Sequence, residues 1–202
     1  MAENEQKTVQ KQFQSLNTKM KRTRNRLSND PLSRAEVELL LSKVTDLQDY
    51  TMLLLGFYSG VRVSELKFDY NAINFQEGYI HIWDEKKDNY RNVYVPEAVL
   101  TALQRYWNAK TDKKSPLMFD LSSKSIERRV RRYTNDILSK AKTWHCIRHT
   151  YITQSVEQGI PISVVISNTG DRPSTILAYY VKLSPTYIKE QINTKQLFKV
   201  GI

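Results

Sequence analysis

The sequence predicts a mainly α-helical domain that carries one small antiparallel β-hairpin sheet. Beyond Pro31, apolar residues recur at helical spacing behind capping residues, and only the stretch 79–95 switches to strand-like runs around a polar turn. With 40% hydrophobic residues among 202, the chain can bury the core of one ordinary domain.

Residues 1–29 add little to that core. They are rich in Lys, Arg, Gln, Asn and Ser, and the basic run Lys19, Lys21, Arg22, Arg24 and Arg26 cannot nucleate packing. This segment reads as an arm or linker, either a solubilising tail or an electrostatic strap on a polyanion. Folding begins near Pro31. Ser33 followed by Glu36 makes a capping-box pattern ahead of Val37, Leu39, Leu40, Leu41 and Val44. A second helix is expected over 46–59, stopping at Gly60, with a short helix at 64–68. Strands follow at 79–83 and 91–95, joined by the polar loop 84–89. Pro96 opens the next helix, where its missing N–H does no harm. Residues 125–140 form a strongly basic helix bearing Arg128, Arg129, Arg131 and Arg132, with Val130, Tyr133 and Ile137 for packing. Helices at 145–158, 161–167, 173–181 and 186–198 complete the chain. The division is an arm at 1–29, a folded domain at 30–184 and a helical tail at 185–202.

The charge balance is the unusual quantity. The chain holds 31 Lys and Arg against 21 Asp and Glu, a formal charge of +10. Each basic contact to a phosphate releases condensed counterions, so this excess favours a polyanionic partner. The single Cys146 cannot form an internal disulfide, the amino terminus lacks the apolar stretch of a signal peptide, and the apolar run at 52–58 is far too short for a bilayer. The expected setting is cytoplasmic, without a membrane.

Three separated segments carry the chemistry. The first is Gly60-Val61-Arg62-Val63-Ser64-Glu65-Leu66, directly after an apolar helix. The second is His145-Cys146-Ile147-Arg148-His149-Thr150, followed by Gly159 and later Gly170. The third is Ala178-Tyr179-Tyr180-Val181, with Tyr180 ten positions after Gly170. In this order they resemble the tyrosine recombinase, or integrase, family, whose catalytic domain carries a G-x-R-x-S-E-L box, then H-x-x-R-H, a glycine and a tyrosine. The resemblance covers the chain from about Pro31 to its end. The run Gly170-Asp171-Arg172-Pro173 leading into Tyr180-Val181-Lys182-Leu183 looks most like integrases of archaeal viruses and plasmids.

The residue types suit that chemistry. Attack on a phosphodiester builds charge on the non-bridging oxygens, and a planar guanidinium donates two hydrogen bonds while staying charged at any working pH. Arg62 and Arg148 would form such a clamp, with no metal or cofactor required. Glu65, three residues after Arg62, is its natural ion-pair partner, and the resemblance implies that this carboxylate helps orient the clamp. His145 can carry a proton either way near neutrality and stands one helical turn before Arg148, which puts both on one face. His149 is expected to point elsewhere. The resemblance implies Tyr180 as the nucleophile of a 3′-phosphotyrosine intermediate, which stores the bond energy without ATP. Tyr179 is its rival, and the Val181-Lys182-Leu183 flank selects Tyr180. It also implies a hairpin lysine as proton donor to the leaving 5′-oxygen, with Lys87 favoured over Lys86.

Asp171 departs from the family, which commonly has His or Trp just after the glycine. A carboxylate beside a phosphate is unfavourable unless it is paired or turned away. Arg172 is expected to turn inward in its place. Arg91, Arg128, Arg129, Arg131 and Arg132 fit contacts to the backbone of double-stranded DNA, which position a protein without specifying sequence. Assembly as a homotetramer on DNA, with the tail 185–202 gripping a neighbour, is implied by the resemblance alone. Residues 1–29 are too short for the DNA-clamping domain that most members place first, so the sequence reads as a catalytic fragment or a naturally short member. The function implied is site-specific strand exchange. The alternatives are a non-catalytic DNA-binding protein on the same fold, degenerate at Asp171, and a type IB topoisomerase-like strand cutter. A helix-turn-helix regulator leaves the three ordered boxes unexplained.

Overall fold

A computed structural model describes residues 30–85, 87–180 and Lys189, the side chains of 177–180 excepted. The arm at 1–29 and, apart from the helical Lys189, the expected tail helix lie outside the described residues.

Local signals set the first helices. Ser33 caps α1 (Arg34–Lys43): its Oγ accepts from the Glu36 N–H at 3.3 Å, and Glu36 Oε2 accepts from the Ser33 N–H at 2.9 Å. Asp46 caps α2 (Leu47–Ser59), which ends at Gly60 with φ 63°. Met52, Leu53, Leu54, Leu55 and Phe57 are all buried, so α2 is the central rod of the domain. Around it pack α1, α3 (Glu97–Ala109) and α5 (Trp144–Glu157), with α4 (Ser123–Leu138) set against α1 and α5. α4 starts two residues before its expected position because Ser122 Oγ accepts from the Ser125 N–H at 3.2 Å.

α5 crosses α2 at close quarters. A Cβ on Gly56 would lie 2.8 Å from Trp144 Cη2 and 2.9 Å from Ile147 Cγ2. Trp144, 1% exposed, donates its indole N–H to the Val61 carbonyl at 2.8 Å. That bond ties the turn after α2 to the start of α5, which brings two of the sequence motifs together.

The sheet departs from the expected hairpin in two respects. It has three antiparallel strands, β1 (Ile73–Asn74), β2 (Tyr79–Asp84) and β3 (Asn89–Tyr94), in that order. β1 is only two residues long, too short to show an alternating pattern. β3 begins two residues early, and the tight turn closes with Asp88 at φ 51°. Ile80, Ile82 and Val93 face the core, while Tyr79, His81, Trp83, Tyr90 and Tyr94 form the outer face.

A second, smaller cluster of Ile152, Val165 and Ile176 holds α5, α6 (Ile162–Thr169) and α7 (Pro173–Tyr180) together. Asn168 fastens α6 to the edge of β3: its Oδ1 accepts from the Tyr94 N–H at 2.7 Å and its Nδ2 donates to the Tyr94 carbonyl at 3.1 Å. Among the described residues no helix is long and apolar enough to cross a membrane.

Arg129 differs from its expected place on a DNA-facing surface. It reaches back to Asp49 on α2, which is 1% exposed, and donates to it at 2.8 Å, while the Tyr133 hydroxyl donates to the same carboxylate at 2.9 Å. Burying Asp49 requires these partners. Arg128, Arg131 and Arg132 remain exposed.

The Gly56→Ala substitution should lower stability by about 1–3 kcal/mol, because the added methyl must force apart the α2–α5 crossing. Urea denaturation of the two proteins measures the difference, and equal midpoints would mean that the crossing yields freely.

Candidate active site

Three arginines and three carboxylates interlock where the turn after α2, the hairpin end of the sheet and the α6–α7 turn meet. Arg62 comes from the turn that leads into a short 3-10 helix (Val63–Leu66), Arg91 from β3 and Arg148 from α5. The carboxylates are Glu65, Asp84 and Asp171.

Glu65 is the hub. Its side chain is only 3% exposed, and it accepts from both terminal nitrogens of Arg91, each at 2.9 Å. It also accepts from Arg62 Nη1 and from the Arg62 backbone N–H, both at 2.6 Å. Burial alone would push the Glu65 pKa up, yet the hydrogen bonds and charge of Arg91, with those of Arg62, outweigh it and hold the carboxyl below its ordinary range. For Arg62 the balance of burial against Glu65, Asp84 and Asp171 raises the pKa. Asp84, 1% exposed, lies 3.3 Å from Arg62 Nη1 and 3.5 Å from Arg91 Nη1.

Arg148 is deeper, 4% exposed. It donates to the Gly60 carbonyl, to the Thr169 carbonyl at 2.9 Å and to Asp171 Oδ2 at 2.7 Å. Burial lowers its pKa and Asp171 opposes the shift, but a guanidinium stays charged at any working pH. Asp171 Oδ1 lies 3.1 Å from Arg62 Nη2, which also donates to the Gly170 carbonyl at 3.4 Å. Gly170 turns the chain here at φ 70°, and a Cβ on it would come within 2.7 Å of Asp84 Oδ2. Only glycine fits.

The structure thus brings together Arg62, Glu65 and Arg148, as the motif order suggested, and adds Asp171 to them. Several other expectations are corrected. Arg91 faces inward: it pairs across the sheet with Ile82, so it shares the core side of the sheet, and its donors are engaged by Glu65 and the Asn168 carbonyl. It is spent inside this cluster and does not project from the surface as expected. Arg172 is exposed, and Asp171 occupies the inward place expected for it. His149 does not point away from His145; the rings lie 4.1 Å apart, as residues four apart on a helix can. His145 is exposed on the first turn of α5. Lys87 is exposed in the hairpin turn, and Lys86 lies outside the described residues. Tyr180 is the last residue of α7, and its side chain, like that of Tyr179, lies outside the described atoms.

Asp84 escaped notice in the sequence. Its signal was there: Ile80, Ile82 and Asp84 alternate on the face of β2 that is buried, so a carboxylate had to enter the core and find cationic partners.

The depressed pKa of Glu65 has a definite consequence for stability. Its ionised form is favoured by folding, so its contribution is complete above the ordinary glutamate range and disappears as pH falls through the lower folded value. Wild-type protein should therefore lose stability on acidification through that window, and Glu65→Gln should flatten the loss while costing about 3 kcal/mol near neutrality, since it leaves Arg62 and Arg91 short of a counter-charge. Urea midpoints measured across pH check both, and an unchanged acid limb in the variant would contradict the assignment.

Comparison with known proteins places these residues in a family. Residues 30–186 match the phage integrase family. The tyrosine recombinase XerA of Pyrococcus furiosus is 27% identical over 203 residues, covering 93% of this chain and 70% of that protein. A crystal structure of XerA recombinase superposes with a TM-score of 0.72 at 24% identity, over 83% of this chain and 66% of that one. XerH site-specific recombinase, bound to a palindromic difH substrate after cleavage, superposes with a TM-score of 0.68 at 17% identity over 82% of this chain and 53% of that one. The chain thus spans half to about two-thirds of these recombinases. With Arg62, Glu65, Arg148 and the tyrosine-bearing helix α7 in their expected order on this fold, the chain belongs to the phage integrase family, the tyrosine recombinases.

Proposed function

We propose that the protein is a site-specific DNA recombinase that cuts and rejoins double-stranded DNA through a 3′-phosphotyrosine bond at Tyr180. The observation that carries this reading is the convergence of Arg62 and Arg148 on the two oxygens of one anionic group, at 3.1 Å and 2.7 Å. Two guanidinium groups so aimed can bind the non-bridging oxygens of a phosphodiester and stabilise the charge that builds there during attack.

In this mechanism the Tyr180 oxygen forms a bond to phosphorus while the bond to the 5′-oxygen breaks. His145 takes part in the proton transfers, and Lys87 or Lys86 gives a proton to the leaving oxygen. The freed 5′-hydroxyl of a partner strand then attacks the phosphotyrosine, reforming the phosphodiester and releasing Tyr180. Glu65 and Arg91 hold Arg62 in place. Arg128, Arg131 and Arg132, exposed on α4, supply backbone contacts to the duplex. Assembly as a tetramer on DNA, residence in the cytoplasm with the DNA, and origin in an archaeal virus or plasmid belong to the same reading. The likeness to the XerA of Pyrococcus furiosus supports only the archaeal part of that origin.

A second reading, DNA binding without cleavage, draws on Asp171, whose carboxylate stands between the two clamp arginines. Trapping on a nicked suicide substrate carrying the element's own attachment site separates the two. The expected result is a protein–DNA adduct that survives denaturation, persists in Tyr179→Phe and vanishes in Tyr180→Phe. DNA that is bound yet yields no adduct would favour the second reading.

A further inference from the structure

We propose that Asp171 is an internal stand-in for the DNA phosphate, and that its displacement sets how firmly DNA must be held before it is cut. This rests on reading Arg62 and Arg148 as the phosphate clamp.

The geometry is that of an occupied seat. One carboxylate oxygen of Asp171 lies 3.1 Å from Arg62 Nη2 and the other 2.7 Å from Arg148 Nη2. Two oxygens sharing a single negative charge and bridging two guanidinium groups make the same demand as the two non-bridging oxygens of a phosphodiester. The charges are already balanced: Arg62, Arg91 and Arg148 face Glu65, Asp84 and Asp171. A phosphate that joined this set would leave it one charge negative and lie against a carboxylate, which is repulsive. A phosphate that replaced Asp171 would keep it neutral. Carboxylate and phosphate therefore compete for one place.

The way out is a side-chain movement. The backbone of the turn is held, because Arg148 donates to the Thr169 carbonyl at 2.9 Å and Arg62 to the Gly170 carbonyl at 3.4 Å. Asp171 itself has only its own two side-chain torsions to change, and at 14% exposure it already touches solvent. Rotation outward vacates the clamp without disturbing Glu65 or Asp84, which are 3% and 1% exposed. Loosely held DNA then leaves the carboxylate in place, whereas DNA gripped along its backbone at the cognate site drives its phosphate in. Asp171 is in this sense a specificity-determining residue.

The test uses the full chain as wild type, Asp171→Asn and Asp171→Ala, with Asp136→Asn, an exposed acid on α4, as a control for the loss of one negative charge. Inorganic phosphate binding is followed by phosphorus NMR. Both Asp171 variants should bind phosphate about tenfold more tightly or better, the ratio expected when a charge-assisted competitor is removed, and the control should match wild type. On suicide substrates, Asp171→Asn should raise adduct formation on scrambled DNA about tenfold relative to the attachment site. Phosphate affinity that is unchanged or weaker in both Asp171 variants would overturn the proposal, as would an equal gain in the control. The near-isosteric asparagine decides the matter if the alanine variant does not fold. If none of the proteins forms an adduct, the strand-cutting reading fails, while the phosphate titration still decides the displacement.

Discussion

Glu65 is the constraint on which the site depends. A carboxylate 3% exposed is tolerable only when its charge is met, and here Arg91 meets it bidentately while Arg62 meets it from the other side. Removing one partner from such a group leaves a buried charge uncompensated, at a cost of about 3–5 kcal/mol. Glu65 consequently locks the short 3-10 helix (Val63–Leu66) against β3, and the orientation of Arg62 follows from it.

The rest of the architecture serves to bring Arg148 and the α6–α7 turn to that point. The close α2–α5 crossing at Gly56 and the Trp144–Val61 bond place α5 so that Arg148 passes under the turn at Gly60. Asn168 completes the edge of β3 from α6, and the small cluster of Ile152, Val165 and Ile176 carries α7 along with it. The cluster is therefore assembled from segments far apart in the sequence. Its rigidity comes from buried polar bonds, which are strong where water is excluded.

Electrostatics divides the molecule in two. The site is balanced, arginine against carboxylate, although the chain as a whole carries +10. Part of the excess lies on the outer face of α4, where Arg128, Arg131 and Arg132 are exposed. Unbalanced positive charge is thus a property of the surface, while the interior cluster is matched charge for charge. Arg129 shows how sharply the boundary runs. It stands beside Arg128 in sequence, yet it is spent on Asp49.

Local chemistry made the helices legible from sequence: the Ser33–Glu36 capping box, the Gly60 stop and the change of period at Tyr79 each act within a few residues. The meeting of Arg62, Glu65 and Arg148 was legible too, because they stand in ordered motifs that resemble the family's. What the sequence alone left open was where each charge spends itself. Arg91 turned inward, Arg172 outward, and Asp171 into the seat between two guanidinium groups, because those choices depend on partners as far as 26 and 109 residues away in sequence. A charged side chain looks the same in a sequence whether it faces water or a buried counter-charge. Only the tertiary packing, which removes the water, decides which of the two it is.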